Sequence, residues 1–252
     1  KECGCPAFIA DPVVVDEFQL KARVSGVPGI KRESIFHALN QKAVARRYAK
    51  SIGKKYEELN LIVVHLGGGI SVGAHRKGLV IDVNNALNGE GPISPERAGT
   101  VPSEALATLC FSGKYTLNEV KKMLHGKAGL AAYLGTSDMI TIEEKAIEGK
   151  EPYKTLVAAM DYTVAKEIGE MFVALKGQCD AIILTGGIAY SDYCVADIKE
   201  QIEYLCKVVV LPGENEMESL AENAFGALTG ELPVLTYTGV SCAEEIPGMA
   251  EA

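Results

Sequence analysis

Two apolar runs of the sequence each end in a cluster of glycines. The first is "LIVVHLGGG", residues 61–69, and the second is "AIILTGG", residues 181–187. Glycine after a strand lets backbone N–H groups turn toward a ligand with no Cβ in the way, and such turns hold phosphates. The first cluster alone is also ordinary hairpin chemistry. Two clusters at strand ends in one sheet favour a nucleotide, which needs a phosphate site and an adenosine site.

The familiar nucleotide motifs are absent from the sequence. It has no Gly-x-x-x-x-Gly-Lys-Ser/Thr loop, and the triple glycine fails the dinucleotide fingerprint because Val72 occupies the last glycine position. No Gly-x-Ser-x-Gly nucleophile elbow appears either. A nucleotide site in this chain therefore requires a different kind of fold.

Hydrophobic patterning predicts the elements that position these clusters. Residues 61–83 predict three short strands in sequence, and residues 84–102, rich in Asn, Gly and Pro, predict a long loop. Residues 7–15 predict a buried strand, then a polar break at Asp11-Pro12 and a short extended piece. Further strands are expected at 181–187 and 207–213, and helices at 34–52, 103–111, 116–125, 138–148, 151–176, 192–206 and 216–229. This order predicts an α/β fold, a mixed sheet with flanking helices.

Composition indicates an ordinary soluble globular protein. The 252 residues are 48% hydrophobic and 23% charged, and the formal net charge is −8. Proteins that hold nucleic acid or anionic membrane surfaces are usually basic, so neither partner is expected. No apolar run is long enough to cross a bilayer. The seven cysteines are odd in number and scattered, which favours reduced thiols and a cytoplasmic location.

Several segments together resemble the acetate and butyrate kinase family. The hairpin "VVHLGGGISVGAH", residues 63–75, and "ILTGGIAYS", residues 183–191, are similar to the second half of such a kinase. The segments most like its butyrate kinase members are residues 7–18, 33–46 and 211–224. The resemblance implies the actin-like ATPase fold, also called ribonuclease H-like, of the actin, sugar kinase and Hsp70 superfamily. It implies transfer of the ATP γ-phosphoryl group to a short-chain carboxylate, with butyrate giving butanoyl phosphate and ADP.

The resemblance also implies that the two glycine clusters form the nucleotide site. Backbone N–H groups of the first cluster would hold the β- and γ-phosphates of ATP or ADP, and the second cluster would line the adenosine pocket. The implied residues are His65, Gly67, Gly68 and Gly69 for the phosphates, and Gly186, Gly187 and Ile188 for the adenosine. His65 lies within an apolar strand, so a buried core histidine is the alternative.

Three further residues match the catalytic and metal positions of the family. Asp11 and Glu216 would organise Mg²⁺ and its waters, and His37 would stabilise the phosphoryl group during transfer. Each has a structural alternative. Asp11 could shape a turn, Glu216 could serve the dipole of the last helix, and His37 could be a surface residue.

Two other residues compete for these roles. Glu214 is a rival to Glu216 as the second carboxylate. Acetate kinases carry an arginine in an Arg-x-Gly-Asp loop, and the corresponding residues here, 88–99, lack an arginine at the matching place. Arg97 lies in the same segment and is the candidate to replace it.

The resemblance predicts how the chain is divided. Residues 1–40 would end an incomplete first lobe on the substrate side, residues 41–230 would form a complete nucleotide-binding lobe, and residues 231–252 would be a tail. The chain opens with Lys1 rather than Met, so a processed chain or a piece of a longer kinase is expected. A homodimer or higher oligomer is implied. The alternatives are a fragment that binds nucleotide without turnover and a kinase for a shorter or branched acid.

Overall fold

A five-stranded mixed sheet forms the centre of the molecule in the computed structural model, which describes residues 4–236. The strands are β1 (Asn60–Leu66), β2 (Ile70–Arg76), β3 (Leu79–Val83), β4 (Ala181–Thr185) and β5 (Val208–Val210). Their order across the sheet is β3-β2-β1-β4-β5. The β1–β2 and β2–β3 pairs are antiparallel, whereas β1–β4 and β4–β5 are parallel. The predicted mixed sheet is confirmed.

Helices cover both faces of this sheet. They are α1 (Ala38–Ser51), α2 (Ser103–Cys110), α3 (Leu117–Leu124), α4 (Gly129–Leu134), α5 (Met139–Ile147), α6 (Tyr153–Ala174), α7 (Asp192–Ile202) and α8 (Glu216–Thr229). Single 3₁₀ turns form at Leu20–Arg23, Tyr56–Glu58 and Ile188–Tyr190. The predicted helices are present with slightly shifted ends. Helix α4 was not predicted because a six-residue segment is too short to show helical periodicity.

Alternation along the strands sends side chains to two separate cores. Ile62 and Val64 lie in the larger core with side chains of α5, α6 and α7. Leu61 and Val63 lie in a second core with side chains of α1. Because successive residues of a strand point to opposite faces, the continuous apolar run of β1 is what a strand covered on both sides requires.

The predicted buried strand at residues 7–15 is wrong. The segment has no regular structure, and Ile9 is 86% exposed and Val14 63% exposed. Its backbone turns at Pro12, whose carbonyl oxygen accepts from Val15 N–H at 2.9 Å. An apolar run becomes a strand only where a neighbour supplies ladder hydrogen bonds, and none of the described strands runs beside this segment.

The face of α8 that packs inward also differs from the prediction. The pattern favoured burial of Met217, Leu220, Ala221, Ala224 and Leu228. The residues that α8 actually buries are Ser219 and Gly226, while Met217 is 80% exposed. At the inward face, Arg47 Nη2 of α1 donates to Ser219 Oγ at 2.8 Å. The contact of α8 with α1 at this point is therefore polar and leaves the apolar stripe exposed.

The predicted division of the chain reaches beyond the described residues at both ends. Residues 1–3 of the predicted first-lobe segment and residues 237–252 of the predicted tail lie outside them. None of the helices between residues 4 and 236 combines the length and the apolar character that crossing a bilayer needs.

Candidate functional site

The triple glycine forms the tip of the β1–β2 hairpin, and the long loop after β3 supports it. Gly67 N–H donates to the carbonyl oxygen of Gly69 at 3.2 Å, which closes the turn. Behind the tip, the carbonyl oxygen of Gly68 accepts from Ser94 Oγ at 2.7 Å and from Glu96 N–H at 3.1 Å. The loop therefore holds the carbonyl side of the tip.

His37 and His65 come together beside this tip. His37 is the N-cap residue of α1, and His65 is the penultimate residue of β1. Their rings stack with centroids 3.8 Å apart and planes 10° from parallel. A Cβ added at Gly69 would lie 3.8 Å from His37 Cε1, and one added at Gly67 would lie 3.0 Å from His65 Nε2. Three predicted parts of the site, the glycines and both histidines, are therefore adjacent.

Asn40 fixes the proton position on His65. The Nδ2 of Asn40 donates to the carbonyl oxygens of Gly213 at 3.3 Å and Glu214 at 2.9 Å, so its Oδ1 faces His65 Nδ1 at 2.9 Å. An amide oxygen accepts only, so His65 carries its proton on Nδ1. Burial, and secondarily His37, lowers the pKa of His65 to about 2, and the ring is neutral. Its bare Nε2 faces Glu214 Oε1 at 3.5 Å. That contact is not an ion pair, because the ring carries no charge.

His37 is neutral as well. Burial lowers its pKa to about 4, with the positive charge of Arg97 as the smaller cause. Its Nδ1 contacts Ser71 Oγ at 2.9 Å. A neutral imidazole offers one N–H donor, so the chemistry of this ring depends on which nitrogen carries the proton.

Arg97 brings a positive charge to the same place. A Cβ added at Gly69 would lie 3.9 Å from Arg97 Cγ, and Arg97 Nη1 donates to the carbonyl oxygen of Glu96 at 3.2 Å. The loop can approach because Gly129 at the start of α4 has φ +60°, and a Cβ there would overlap the carbonyl oxygens of Ser94 and Arg97. The predicted substitute arginine therefore lies beside the hairpin tip.

The second glycine cluster meets the first at the end of β1. Gly186 has φ +91°, and a Cβ there would overlap the Leu66 carbonyl oxygen, one residue before the triple glycine. Gly186 also exchanges two backbone hydrogen bonds with Gly213, at 3.2 and 3.0 Å. No heavy atom lies within 4 Å of a Cβ added at Gly187, whereas Ile188 is buried in the larger core. The end of β4 thus has open space at the Cβ position of Gly187, and the next residue, Ile188, is buried in the core.

The two predicted carboxylates have different neighbours from the stacked histidines. Asp11 pairs with Arg46, Oδ2 to Nη1 at 2.9 Å, further along α1 than His37. Glu216 is the first residue of α8 and is exposed. Glu214, the rival residue, is the carboxylate that reaches His65. Within residues 4–236, no group of three or more His, Cys, Asp or Glu side chains is arranged to hold a metal ion.

Several polar residues of the site escaped the sequence prediction. Asn40 and Gln41 lie three and four residues after His37 on α1, so all three share one helix face. Ser71 and His75 lie on one face of β2 because side chains alternate along a strand. These two periodicities are the signals that could have found them. Ser94 has no such signal, since its place depends on the path of the loop.

Known proteins give an independent comparison. Residues 16–225 match the acetokinase family. The chain is 70% identical over 237 residues to a protein of Phocaeicola vulgatus named probable butyrate kinase, covering 94% of this chain and 67% of that protein. It is 57% identical over 233 residues to one so named from Bacteroides thetaiotaomicron, covering 92% and 66%. The chain therefore spans about two thirds of the length of these curated relatives.

Solved structures support the same fold. The acetate kinase of Porphyromonas gingivalis superposes with a TM-score of 0.76 at 21% identity, over 86% of this chain and 63% of that one. A propionate kinase of Francisella tularensis gives a TM-score of 0.72 at 21% identity, over 81% and 60%. At this identity the similarity shows the fold alone, and it confirms the predicted actin-like ATPase fold.

Proposed function

This chain belongs to the acetokinase family, and we propose that it serves an acyl kinase that transfers the γ-phosphoryl group of ATP reversibly to a short-chain carboxylate. Butyrate is the proposed acid, giving butanoyl phosphate and ADP. The names of the relatives at 70% and 57% identity support this choice. One methylene in an apolar pocket changes binding by only ~1–3 kcal/mol, so shorter and branched acids are the closest competitors.

The observation that carries the proposal is the grouping of the glycine tip, Arg97 and two neutral stacked histidines. Phosphoryl transfer needs little covalent chemistry from the protein, because its transition state spreads negative charge over the phosphoryl oxygens. A guanidinium and correctly oriented N–H donors stabilise that charge. Here Arg97 supplies the guanidinium, and His37 supplies a ring N–H without a competing positive charge of its own.

The nucleotide fits the backbone at this sheet edge. Gly67 N–H is already used within the turn, so the N–H groups of Gly68 and Gly69 are the proposed phosphate donors. Gly68 is exposed at the tip, and the nearest heavy atom to a Cβ added there is Glu96 Oε2 at 3.4 Å. Adenosine is proposed to lie over Gly186 and Gly187, where a Cβ added at Gly187 meets nothing within 4 Å.

Mg²⁺ is the proposed metal, with Asp11 and Glu216 as the carboxylates that organise its waters and Glu214 as the rival. When bound, Mg²⁺ neutralises charge that develops on the phosphates. It commonly keeps several waters and uses one or two carboxylates. Glu214 Oε1 lies 3.5 Å from His65 Nε2, which is why Glu214 stays a rival for this role.

We further propose a cytoplasmic homo-oligomer whose partners are a nucleotide and a small carboxylate. The proposal follows from family membership. Size-exclusion chromatography with light scattering tests the oligomeric state directly, and an elution at the mass of one chain would contradict it.

Hydroxamate formation from butyrate, ATP and Mg²⁺ tests the proposed activity. Butyrate should give a higher kcat/KM than propionate, by the roughly 10- to 200-fold that one methylene allows, and its advantage over acetate should be at least as large. Calorimetry with MgATP on the same sample separates the alternatives. MgATP binding without hydroxamate would favour a nucleotide-binding chain without turnover. The absence of both MgATP binding and hydroxamate would contradict the proposal.

A further inference from the structure

A continuous line of buried polar side chains connects the interior of the fold to His37. It runs between α1 and the sheet, and each member contacts the next within hydrogen-bond distance. The contacts are Tyr56 Oη to His75 Nδ1 at 2.7 Å, His75 Nε2 to Gln41 Oε1 at 2.9 Å, Gln41 Nε2 to Ser71 Oγ at 2.8 Å, and Ser71 Oγ to His37 Nδ1 at 2.9 Å. We call these five residues the relay.

The direction of the relay follows from the amide of Gln41. Its Nε2 lies 3.1 Å from the carbonyl oxygen of Ser71, which can only accept. The reversed amide would place two acceptors against each other in a fully buried position, which costs free energy. Gln41 therefore points its Nε2 toward Ser71 and its Oε1 toward His75.

This orientation determines the protons of His75 and Tyr56. Gln41 Oε1 can only accept, so His75 Nε2 carries a proton. Burial lowers the pKa of His75 to about 3, with smaller contributions from Lys42 and Arg46, so the ring is neutral and its Nδ1 is bare. The hydroxyl of Tyr56 then donates to that Nδ1.

The same reasoning fixes the proton of His37. Ser71 Oγ receives an N–H from Gln41 at 2.8 Å and a weaker one from the His37 backbone at 3.5 Å. Among the described residues, His37 Nδ1 is the only acceptor within hydrogen-bond distance of Ser71 Oγ, so the hydroxyl donates its proton there. A neutral ring that accepts at Nδ1 carries its proton on Nε2.

We propose that Gln41 is a positioning residue that acts through Ser71 to hold His37 as the Nε2–H tautomer, while His75 and Tyr56 satisfy its buried amide oxygen. The consequence for catalysis rests on the proposed function, because that tautomer leaves an N–H donor for the phosphoryl group. The ring carbon Cε1, which is bonded to both Nδ1 and Nε2, lies 3.8 Å from a Cβ added at Gly69.

Burial makes each hydrogen bond of the relay obligatory. Gln41, Ser71 and His75 are wholly buried and Tyr56 is 4% exposed, so each polar atom must find its partner inside the protein. Reversing one link leaves a buried group unsatisfied. Gly73 on β2 leaves the space that this contact needs, because a Cβ there would overlap Gln41 Oε1 and lie 3.1 Å from His75 Nε2.

His65 offers an internal comparison for the relay. Asn40 holds it as the Nδ1–H tautomer, whereas the relay holds His37 as the Nε2–H tautomer. The two stacked rings should therefore show opposite nitrogen patterns in one spectrum. The chain has only four histidines, which keeps the assignment tractable.

Long-range ¹H–¹⁵N NMR of the imidazole rings at pH 7 is the test. In the wild-type chain, His37 should show a protonated Nε2 and a bare Nδ1, and His65 the reverse. The readout needs neither ATP nor turnover. A His37 ring protonated on Nδ1, or one that averages between both tautomers, overturns the proposal.

Variants locate the cause of the pattern. Gln41→Met removes the N–H that Ser71 Oγ accepts and should leave His37 as a mixture of tautomers. His75→Leu keeps both contacts of Gln41 with Ser71 and should leave the wild-type pattern. Val44→Ala, a buried change elsewhere on α1, is the matched control and should leave it intact as well. A wild-type pattern in folded Gln41→Met overturns the proposal.

Kinetics separates this inference from the proposed function. In active protein, Gln41→Met should lower kcat about 10- to 100-fold, as loss of an orienting partner does elsewhere, with the KM for ATP nearly unchanged. The predicted tautomers without kinase activity would refute the proposed function and leave the relay standing. Kinase activity with the wrong His37 tautomer would refute the relay alone.

Discussion

The rings of His37 and His65 stack in parallel with their centroids 3.8 Å apart, next to the triple glycine. Two charged rings in this stack would hold like charges about 3.8 Å apart, and His37 is accordingly a secondary cause, after burial, of the lowered pKa of His65. Burial keeps both rings neutral at pH 7. The site therefore presents two uncharged imidazoles, and the positively charged guanidinium of Arg97 extends from a side chain beside the same tip.

Replacing His37 by leucine should lower kcat by about 10²- to 10³-fold, because one preorganised donor to the transferring group is lost. The affinity for MgATP should change by less than a few-fold, since the phosphate contacts of the glycine tip remain. Steady-state kinetics with calorimetry measures both quantities. His125→Leu is the matched control, and a His37→Leu enzyme with wild-type kcat would exclude His37 from the chemistry.

Removing the guanidinium of Arg97 should raise the pKa of His37. Arg97 is the smaller of two causes that lower this pKa to about 4, so the Arg97→Met value should rise yet stay below the ordinary 6.5. Because burial remains, the ring still titrates in the acid range. An NMR titration of His37 measures the shift, with Arg97→Lys as the charge-preserving control. An unchanged pKa in Arg97→Met would place the guanidinium away from the ring.

Glu216→Gln should raise the Mg²⁺ concentration that half-saturates the reaction several-fold. The exposed carboxylate at the start of α8 is free to hold metal-bound water, whereas Glu214 is placed against His65. Activity measured against Mg²⁺ concentration at fixed ATP compares Glu216→Gln with Glu214→Gln. If Glu214→Gln raises the requirement and Glu216→Gln does not, the metal carboxylate is Glu214.

Asp161→Asn should stabilise the fold at neutral and alkaline pH. Burial raises the pKa of this fully buried carboxyl from 3.8 to about 8, with Asp197 as a smaller cause. The folded state then holds a proton that the unfolded state releases, so wild-type stability falls as pH rises from about 4 to 8. The variant lacks this loss and should be at least about 1 kcal/mol more stable at pH 8.

Denaturant unfolding at pH 5 and pH 8 measures that difference. The gap between Asp161→Asn and wild type should widen with pH, and the exposed Glu144→Gln should show no such trend. A gap that is equal at both pH values would mean that Asp161 is ionised in the folded protein.

The sequence was enough to predict the five strands of the sheet and the glycine turns that end β1 and β4. Long apolar strands and periodic helices carry strong local signals, so β1, β4 and α6 appear where they were expected. Residues 7–15 have the same apolar character but lack a strand partner among the described residues. Helix α8 has an apolar stripe, yet its contact with α1 is the polar one between Arg47 and Ser219. In both places tertiary contacts outweighed the local pattern.

The sequence was enough to name candidate site residues but not their arrangement. His37 and His65 were candidates, and their stacking depends on how α1 crosses β1, which no local pattern encodes. The position of Arg97 depends on the path of the loop against Gly129. The relay was hidden because Gln41 and Ser71 are common residue types whose roles appear only when α1 meets β2.

The most direct test of the account is calorimetric titration of Gly68→Val with MgATP. Gly68 has no positive φ, and a Cβ there meets only the end of the Glu96 side chain at 3.4 Å, so the fold should tolerate the change. Gly26→Val, in an exposed turn, is the matched control. The account predicts that Gly68→Val abolishes binding while Gly26→Val binds as wild type does. Unchanged binding by folded Gly68→Val would contradict the claim that the triple glycine holds phosphate.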